Sequence, residues 1–448
     1  MGAASHRYLA YVNHCLVESF DEAWIPTLLS ATENTAREFL PLRGLPQGEE
    51  RNYPSKSLER VRRRCGDHTY LFGLPLLLNV TILGVDLKFI ERGLEYARDR
   101  LAPQLANSDG ASIWGRLQPD DKHMPLIEHL QMLADPGVKG RAPLRFVEWA
   151  WAVRAAACAQ SSHTEPLMSM TLLSDETLVC FMLGFLFSEL AIHSQQVVNW
   201  RRFAKNREGE TSNADAGRET IFSRLSELHY AACLLGGIQV ENYDGESPRV
   251  SDKPMRLEWF STYRQGFGTD VPARRGQHYY YLVSPEDMTH FSGDWYLGIR
   301  KGSVSADLGR DVILFVTGDK GLRSHIQDRG IGVPPLGDQH ASYMHVASSQ
   351  YRKSTLEKYR FDIPARRLWE QAISHSDLSG YGSIATELAA GFEKILEVIN
   401  TSAVNMPGMS IVPSSRTDID RHTSGETIEL LRELADLLVS TISQASSE

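Results

Sequence analysis

Ser174–Ala204 reads SDETLVCFMLGFLFSELAIHSQQVVNWRRFA. Ser174 or Asp175 supplies a capping side chain, and Asp175 and Glu176 suit the positive end of a helix. From Leu178 to Phe187 only Gly184 interrupts an apolar run, and a helix apolar on every side is buried on every side. Beyond Ser188 the apolar positions thin to one stripe, and Arg201, Arg202 and Lys205 suit a C-terminus. The stretch predicts a long buried helix, roughly 45 Å at 1.5 Å per residue, with the first half of the chain packed around it.

Toward the N-terminus the apolar spacing continues to favour helix. Residues 6–40 place Tyr8, Val12, Cys15 and Leu16 on one helical face and carry an apolar patch from Trp24 to Leu29. Ser57–Cys65 (SLERVRRRC) puts Arg60, Arg63 and Arg64 on one side of a helix. Leu74–Val85 (LPLLLNVTILGV) is short, apolar and partly β-branched, so it fits a buried strand or a helix. Leu87, Ile90, Leu94, Ala97 and Leu101 predict a helix over Asp86–Leu101, ended by Pro103. Further helices are expected at 125–134, 144–160 and 219–235, the last stopped by Gly236-Gly237.

The pattern changes at Ile238. Short apolar runs at His278–Val283, Trp295–Ile299 and Asp311–Thr317 alternate with turn signals, which predicts a small mixed or antiparallel sheet. Helix returns at 351–375 and at Ser383–Asn400, and Thr423-Ser-Gly-Glu426 is a capping box opening a last helix. The expected class is therefore α+β and predominantly helical: a helical N-terminal half, a small β-containing middle and a helical C-terminus. The expected divisions are a helical domain over 1–237, a mixed α/β domain over 238–350, a helical region over 351–403, a linker over 404–422 and an amphipathic helix over 423–448.

Composition bounds the function classes. The chain has 448 residues, 42% hydrophobic and 23% charged, which is ordinary for a globular protein. A net charge of −9 argues against a chain built as a whole to coat nucleic acid or an anionic membrane. Arg outnumbers Lys, 36 to 11, a bias that serves planar anion recognition or simply follows a GC-rich genome. The five cysteines are scattered and form no C-x-x-C, so a zinc site or disulfide framework is not expected. No signal-peptide core is expected in MGAASHRYLAYVNH and no apolar run spans a bilayer, so the expected location is the cytoplasm.

Motifs for phosphate and acyl chemistry are missing. No Gly-Lys pair exists for a P-loop, Gly330-Ile-Gly332 runs into Pro334-Pro335, and G-x-S-x-G and H-E-x-x-H do not occur. Asp338, His340 and His345 give three metal-ligand types in eight residues, and Cys65, Asp67 and His68 give another set, though such clusters are usually loop residues. Asp67 followed by Asp86-Leu-Lys88 resembles the D…D-x-K spacing with which nucleases hold Mg²⁺, while Asp86 equally suits a helix N-cap. Two basic patches suit phosphate contact: Arg60, Arg63 and Arg64, and the aromatic-interleaved Arg352, Lys353, Arg360, Arg366 and Arg367. The function expected from these features is a non-catalytic subunit or adaptor of a cytoplasmic assembly, one acting on nucleic acid. A metal-dependent nuclease is the alternative. Expected partners are other subunits, or a second copy through the C-terminal helix, and no cofactor is indicated.

Overall fold

Strands, not helices, form at the N-terminus. In the computed structural model β1 (Leu9–Val12) and β2 (Cys15–Asp21) make a tight antiparallel hairpin with Val12 opposite Cys15. The model describes residues 9–12, 15–21, 39–65, 67–105, 110–121, 123–134, 142–160, 166–186, 212–242, 253–262, 280–317, 362–374, 381–405 and 423–445.

The chain weaves between two units. The first comprises Met1–Thr81, Trp259–Pro272 and His290–Asp377, and the second Ile82–Glu258, Ala273–Thr289 and Leu378–Glu448. The first unit opens with β1, β2 and β3 (Phe39–Leu40), then α1 (Ser55–Arg60), the hairpin of β4 (Arg62–Cys65) with β5 (His68–Leu71), and β6 (Leu74–Leu77). From β7 (Thr81–Asp86) the chain builds the second unit: α2 (Leu87–Leu105), α3 (Gly110–Leu117), α4 (Leu126–Ala134), α5 (Phe146–Ala159), β8 (Met168–Leu172), α6 (Asp175–Leu186), α7 (Ser212–Leu235), β9 (Ile238–Asn242) and β10 (Met255–Trp259). β11 (Tyr280–Val283) also belongs there. β12 (Phe291–Ser292), β13 (Trp295–Arg300), α8 (Ala306–Thr317), α9 (Asp362–Gln371) and β14 (Ile373–Ser374) return to the first unit, and α10 (Tyr381–Asn405) and α11 (Gly425–Ala445) complete the second.

In the first unit β13 is the hub of a five-stranded sheet. It pairs antiparallel with β2 (Leu297 opposite Ser19), with β3 and with β6. Val17, Phe20, Phe39, Phe72, Leu74, Tyr296 and Ile299 close over its core, with Ile313 of α8. The run Asp311–Thr317, expected to be a strand, is part of this helix. Ile313 and Thr317, four residues apart, point inward while Phe315 faces solvent, and Ser305 Oγ accepts from Leu308 N at the start.

The second unit holds a sheet in the order β11-β7-β10-β8-β9, with β8 parallel to both β9 and β10 and β11 antiparallel to β7. Parallel strands need helical crossovers, and α6 and α7 lie in sequence between β8 and β9. Trp149, Trp151 and Val153 of α5 are fully enclosed, and every residue from Thr177 to Leu186 of α6 is buried. Phe185 meets Phe146 edge-on at 4.6 Å between ring centroids. The stretch 187–204 lies outside the described residues, so α6 accounts for twelve residues of the long helix expected.

The predominantly helical α+β class is therefore corrected. Two five-stranded sheets carry the chain, with strands from Leu9 onward. Within 6–40 the described residues 9–12, 15–21 and 39–40 are strand where helix was expected, and the other positions lie outside the described residues. The Arg-rich run breaks after α1, because Arg62–Cys65 pairs with His68–Leu71, so Arg63 and Arg64 leave the face that carries Arg60. Leu74–Val85 is two strands, one in each unit. α2 continues past Pro103 to Leu105, and α7 ends where Gly236 and Gly237 take φ of 70° and 100°.

The C-terminal helix is capped by Ser424, whose Oγ accepts from Thr427 N at 3.1 Å. Leu431, Ala435, Leu438 and Ile442 are buried as α11 packs on α7 and α10 of its own unit, leaving Leu430 and Leu437 partly exposed. The stripe through Leu431, Ala435, Leu438 and Ile442 thus covers an internal surface of its own unit, where a role in binding other subunits or a second copy was expected of the helix.

Candidate functional site

Asp294 organises a polar knot inside the first unit. Its carboxylate is fully buried and pairs with Arg60 Nη1 at 3.2 Å. It also accepts from Trp369 Nε1 at 2.7 Å, from Ser57 Oγ at 3.1 Å and from Asn79 N at 3.3 Å. Lys56 Nζ lies 5.0 Å from the Trp369 ring centre and donates to Trp369 O and Ala372 O. A buried carboxylate with this many donors ties α1, the start of β13 and α9 together, and its role is structural. His290 is enclosed nearby in sequence. Nδ1 donates to Thr81 O at 2.7 Å, Nε2 finds no partner among the described residues, and burial pushes the imidazole pKa down to about 4.

The second unit has an arginine lattice at its helix ends. Arg116 donates to both oxygens of Glu148 at 2.6 Å, and Glu148 Oε2 accepts from Arg145 N at the start of α5. Arg224 Nε and Nη2 donate to Phe185 O, satisfying a carbonyl at the end of α6, and Arg224 Nη1 reaches Glu227. Several arginines are thus consumed by structure.

A different arrangement occupies the sheet. β8, β9 and β10 read MSMTL, IQVEN and MRLEW, apolar and polar by turns. The parallel registers put Ser169 beside Arg256 and Gln239, and Thr171 beside Glu241, with Glu258 one strand over. All six side chains therefore share one face. The opposite face carries Met168, Met170, Met255, Leu257 and Ile238 and belongs to the core. The polar face is buried too: Ser169, Arg256 and Glu258 are enclosed, and exposure rises only at Gln239 and Glu241 on edge strand β9. Arg256 Nη2 pairs with Glu258 Oε2 at 3.2 Å and the guanidinium stacks 5.6 Å from the Tyr280 ring centre. Burial, opposed by Arg256 and helped by Glu241, pushes the Glu258 carboxyl up to about 7. The sequence carried a signal for this face, three strands polar at matching parity, but β8 and β10 lay within stretches not read as strands.

The expected site residues fall elsewhere. Asp67 is exposed in the β4–β5 hairpin of the first unit, while Asp86 is fully buried in the second, where its Oδ1 caps α2 by accepting from Phe89 N at 3.0 Å. Lys88 is half-buried on the same helix. Arg60 is committed to Asp294, and Arg63 Nη1 donates to Arg60 O and Arg62 O. Arg64 is exposed, 3.9 Å from Asp67. Arg366 is buried, bonded to Glu370 at 3.0 Å and stacked 4.5 Å from the Trp369 ring centre, and Arg367 is half-buried beside it. Arg352, Lys353, Arg360, Asp338, His340 and His345 lie outside the described residues. Among the described residues no three His, Cys, Asp or Glu side chains group to hold a metal, and no helix is long and apolar enough to cross a membrane.

No protein-family model and no curated protein matches the sequence. Solved structures do match in fold. The GacH receptor of Streptomyces glaucescens GLA.O, known unliganded and with acarbose, aligns with a TM-score of 0.50 at 9% identity over 93% of this chain and 83% of that one. Maltose-bound MalE3 of T. maritima aligns at 0.49 and 11% identity, over 94% of this chain and 84% of that one. The cyclic alpha-maltosyl-1,6-maltose binding protein of Arthrobacter globiformis gives 0.49 and 11%, over 96% of this chain and 84% of that one. The likeness to the receptor shows the fold, the two-domain α/β architecture of solute-binding proteins. It overturns the expected nucleic-acid adaptor and the nuclease alternative, and with them the cytoplasmic location and the nucleic-acid and subunit partners.

Proposed function

We propose that the protein is a solute-binding receptor, which takes one small polar molecule reversibly and leaves it chemically unchanged. The observation that carries this reading is the fold it has in common with a receptor across 93% of its length. The buried polar face of the second unit supports it, because hydrogen-bonding groups withdrawn from water are the means by which a protein selects a polar solute over water.

Thermal unfolding in the presence of a solute panel tests the reading. The panel holds maltose and acarbose, which the structural neighbours bind, together with glucose, an amino acid, a simple amine and glycerophosphocholine. A solute at a hundred times its Kd adds about 2.7 kcal/mol to the folded state and raises Tm by a few degrees. At least one class is expected to do so. A Tm unmoved by every class overturns the receptor reading.

A further inference from the structure

The polar face of the β10–β8–β9 sheet carries more hydrogen-bonding capacity than its own residues use. Glu258 Oε1, Glu241 Oε2, Ser169 Oγ and Thr171 Oγ1 are all shielded from solvent and find no hydrogen-bond partner among the described residues. Ser169 and Glu258 are wholly enclosed and Thr171 is 7% exposed. Buried polar atoms are paired in the great majority of cases, and four unpaired ones on one sheet face mark a place for a further hydrogen-bonding group. All four are oxygens able to accept a hydrogen bond, and two are carboxylate oxygens.

Charge narrows the class. The groups facing Glu258 are Arg256 on its own strand and Glu241 on β9. With Glu258 ionised, one guanidinium would face two carboxylates on a face withdrawn from water, so without a counter-charge Glu258 keeps its proton instead. Asp86 at the end of β7 is already engaged by Phe89 N. Neighbouring strands lie about 4.8 Å apart, so Thr171 on the middle strand is flanked by Glu258 on one side and Glu241 on the other. A group over Thr171 with several N–H donors and one positive charge satisfies every one of these conditions. An anion does not, and a neutral alcohol brings no counter-charge against which Glu258 could ionise. The face reaches solvent at β9, where Gln239 and Glu241 are only half-buried.

We propose that this face of the second unit binds the ammonium group of a small primary amine, seated over Thr171 between Glu258 and Glu241 and steadied by Ser169. The assignment rests on the receptor reading and names the solute class. The ammonium takes the place of the proton that Glu258 otherwise keeps, so binding releases a proton and strengthens as pH rises.

Calorimetric titration of the full chain with ethanolamine, beside its neutral match ethylene glycol, is the test. Ethanolamine is expected to bind and ethylene glycol is not. Because Glu258 titrates at about 7, affinity should rise about tenfold from pH 6 to pH 8. Glu258→Gln should weaken binding at least about tenfold and remove the pH dependence. Thr171→Val, which keeps the shape of the side chain, should weaken it severalfold and guards against a misfolded Gln variant. Equal binding by Thr171→Val and wild type, or equal binding of ethanolamine and ethylene glycol, overturns the proposal. Binding of maltose or glucose with ethanolamine silent overturns it and leaves the receptor standing. Silence from every solute overturns both.

Discussion

At the residue scale, two buried groups make opposite demands on acidity. His290 is held neutral, its pKa lowered from 6.5 to about 4, so the stability it contributes is present above pH 6.5 and is lost as pH falls through 4. Glu258 is held protonated, its pKa raised from 4.5 to about 7, so its stability is present below pH 4.5 and is lost as pH rises through 7. Each shift corresponds to about 3 kcal/mol at most. Glu258→Gln should therefore be more stable than wild type at pH 8, with the gap closing toward pH 4.5, as read by urea unfolding across the range. A gap that does not change with pH contradicts the assignment. Legibility at this scale was uneven. Asp86 showed its capping role because caps are local in sequence. Asp294 gave no signal, since its partners Arg60 and Trp369 lie 234 and 75 residues away.

At the element scale, helices with strict spacing were legible, as were β11 and β13 in His278–Val283 and Trp295–Ile299, while the N-terminal strands were not. α2 and α7 sit where Leu87–Leu101 and Ile221–Leu235 place them, because a one-sided apolar stripe has no other use. β1 and β2 were taken for helix since strands of four and seven residues hold too few positions to separate a period of two from one of 3.6. Val312–Val316 misled in the other direction: its apolar residues surround a helix of which only part is buried. Where α2 crosses α5, a methyl at Gly93 would fall inside the envelope of Ala156 Cα and Cβ. Gly93→Ala must push the two helices apart, and since overpacking costs about 1–3 kcal/mol or more, a lower urea midpoint is expected. An unchanged midpoint would mean the crossing is looser than described.

At the scale of the whole molecule, the architecture follows from interleaving. The chain leaves the first unit after Thr81, comes back at Trp259, departs at Ala273, returns at His290 and leaves again after Asp377. Domains expected as consecutive blocks, such as 1–237 and 238–350, do not follow a chain that passes back and forth in this way. No composition shift marks a passage made within a strand, as at β7 and β10. The proposed function is illegible in sequence for a related reason: a site for reversible solute binding would carry no motif, only a polar face assembled from three distant strands. The account stands most directly on calorimetry of the full chain with the solute that raises Tm furthest. It predicts saturable binding of one solute per chain, with a negative heat-capacity change from the surface withdrawn from water. Titrations that give only heats of dilution for every solute class would contradict it.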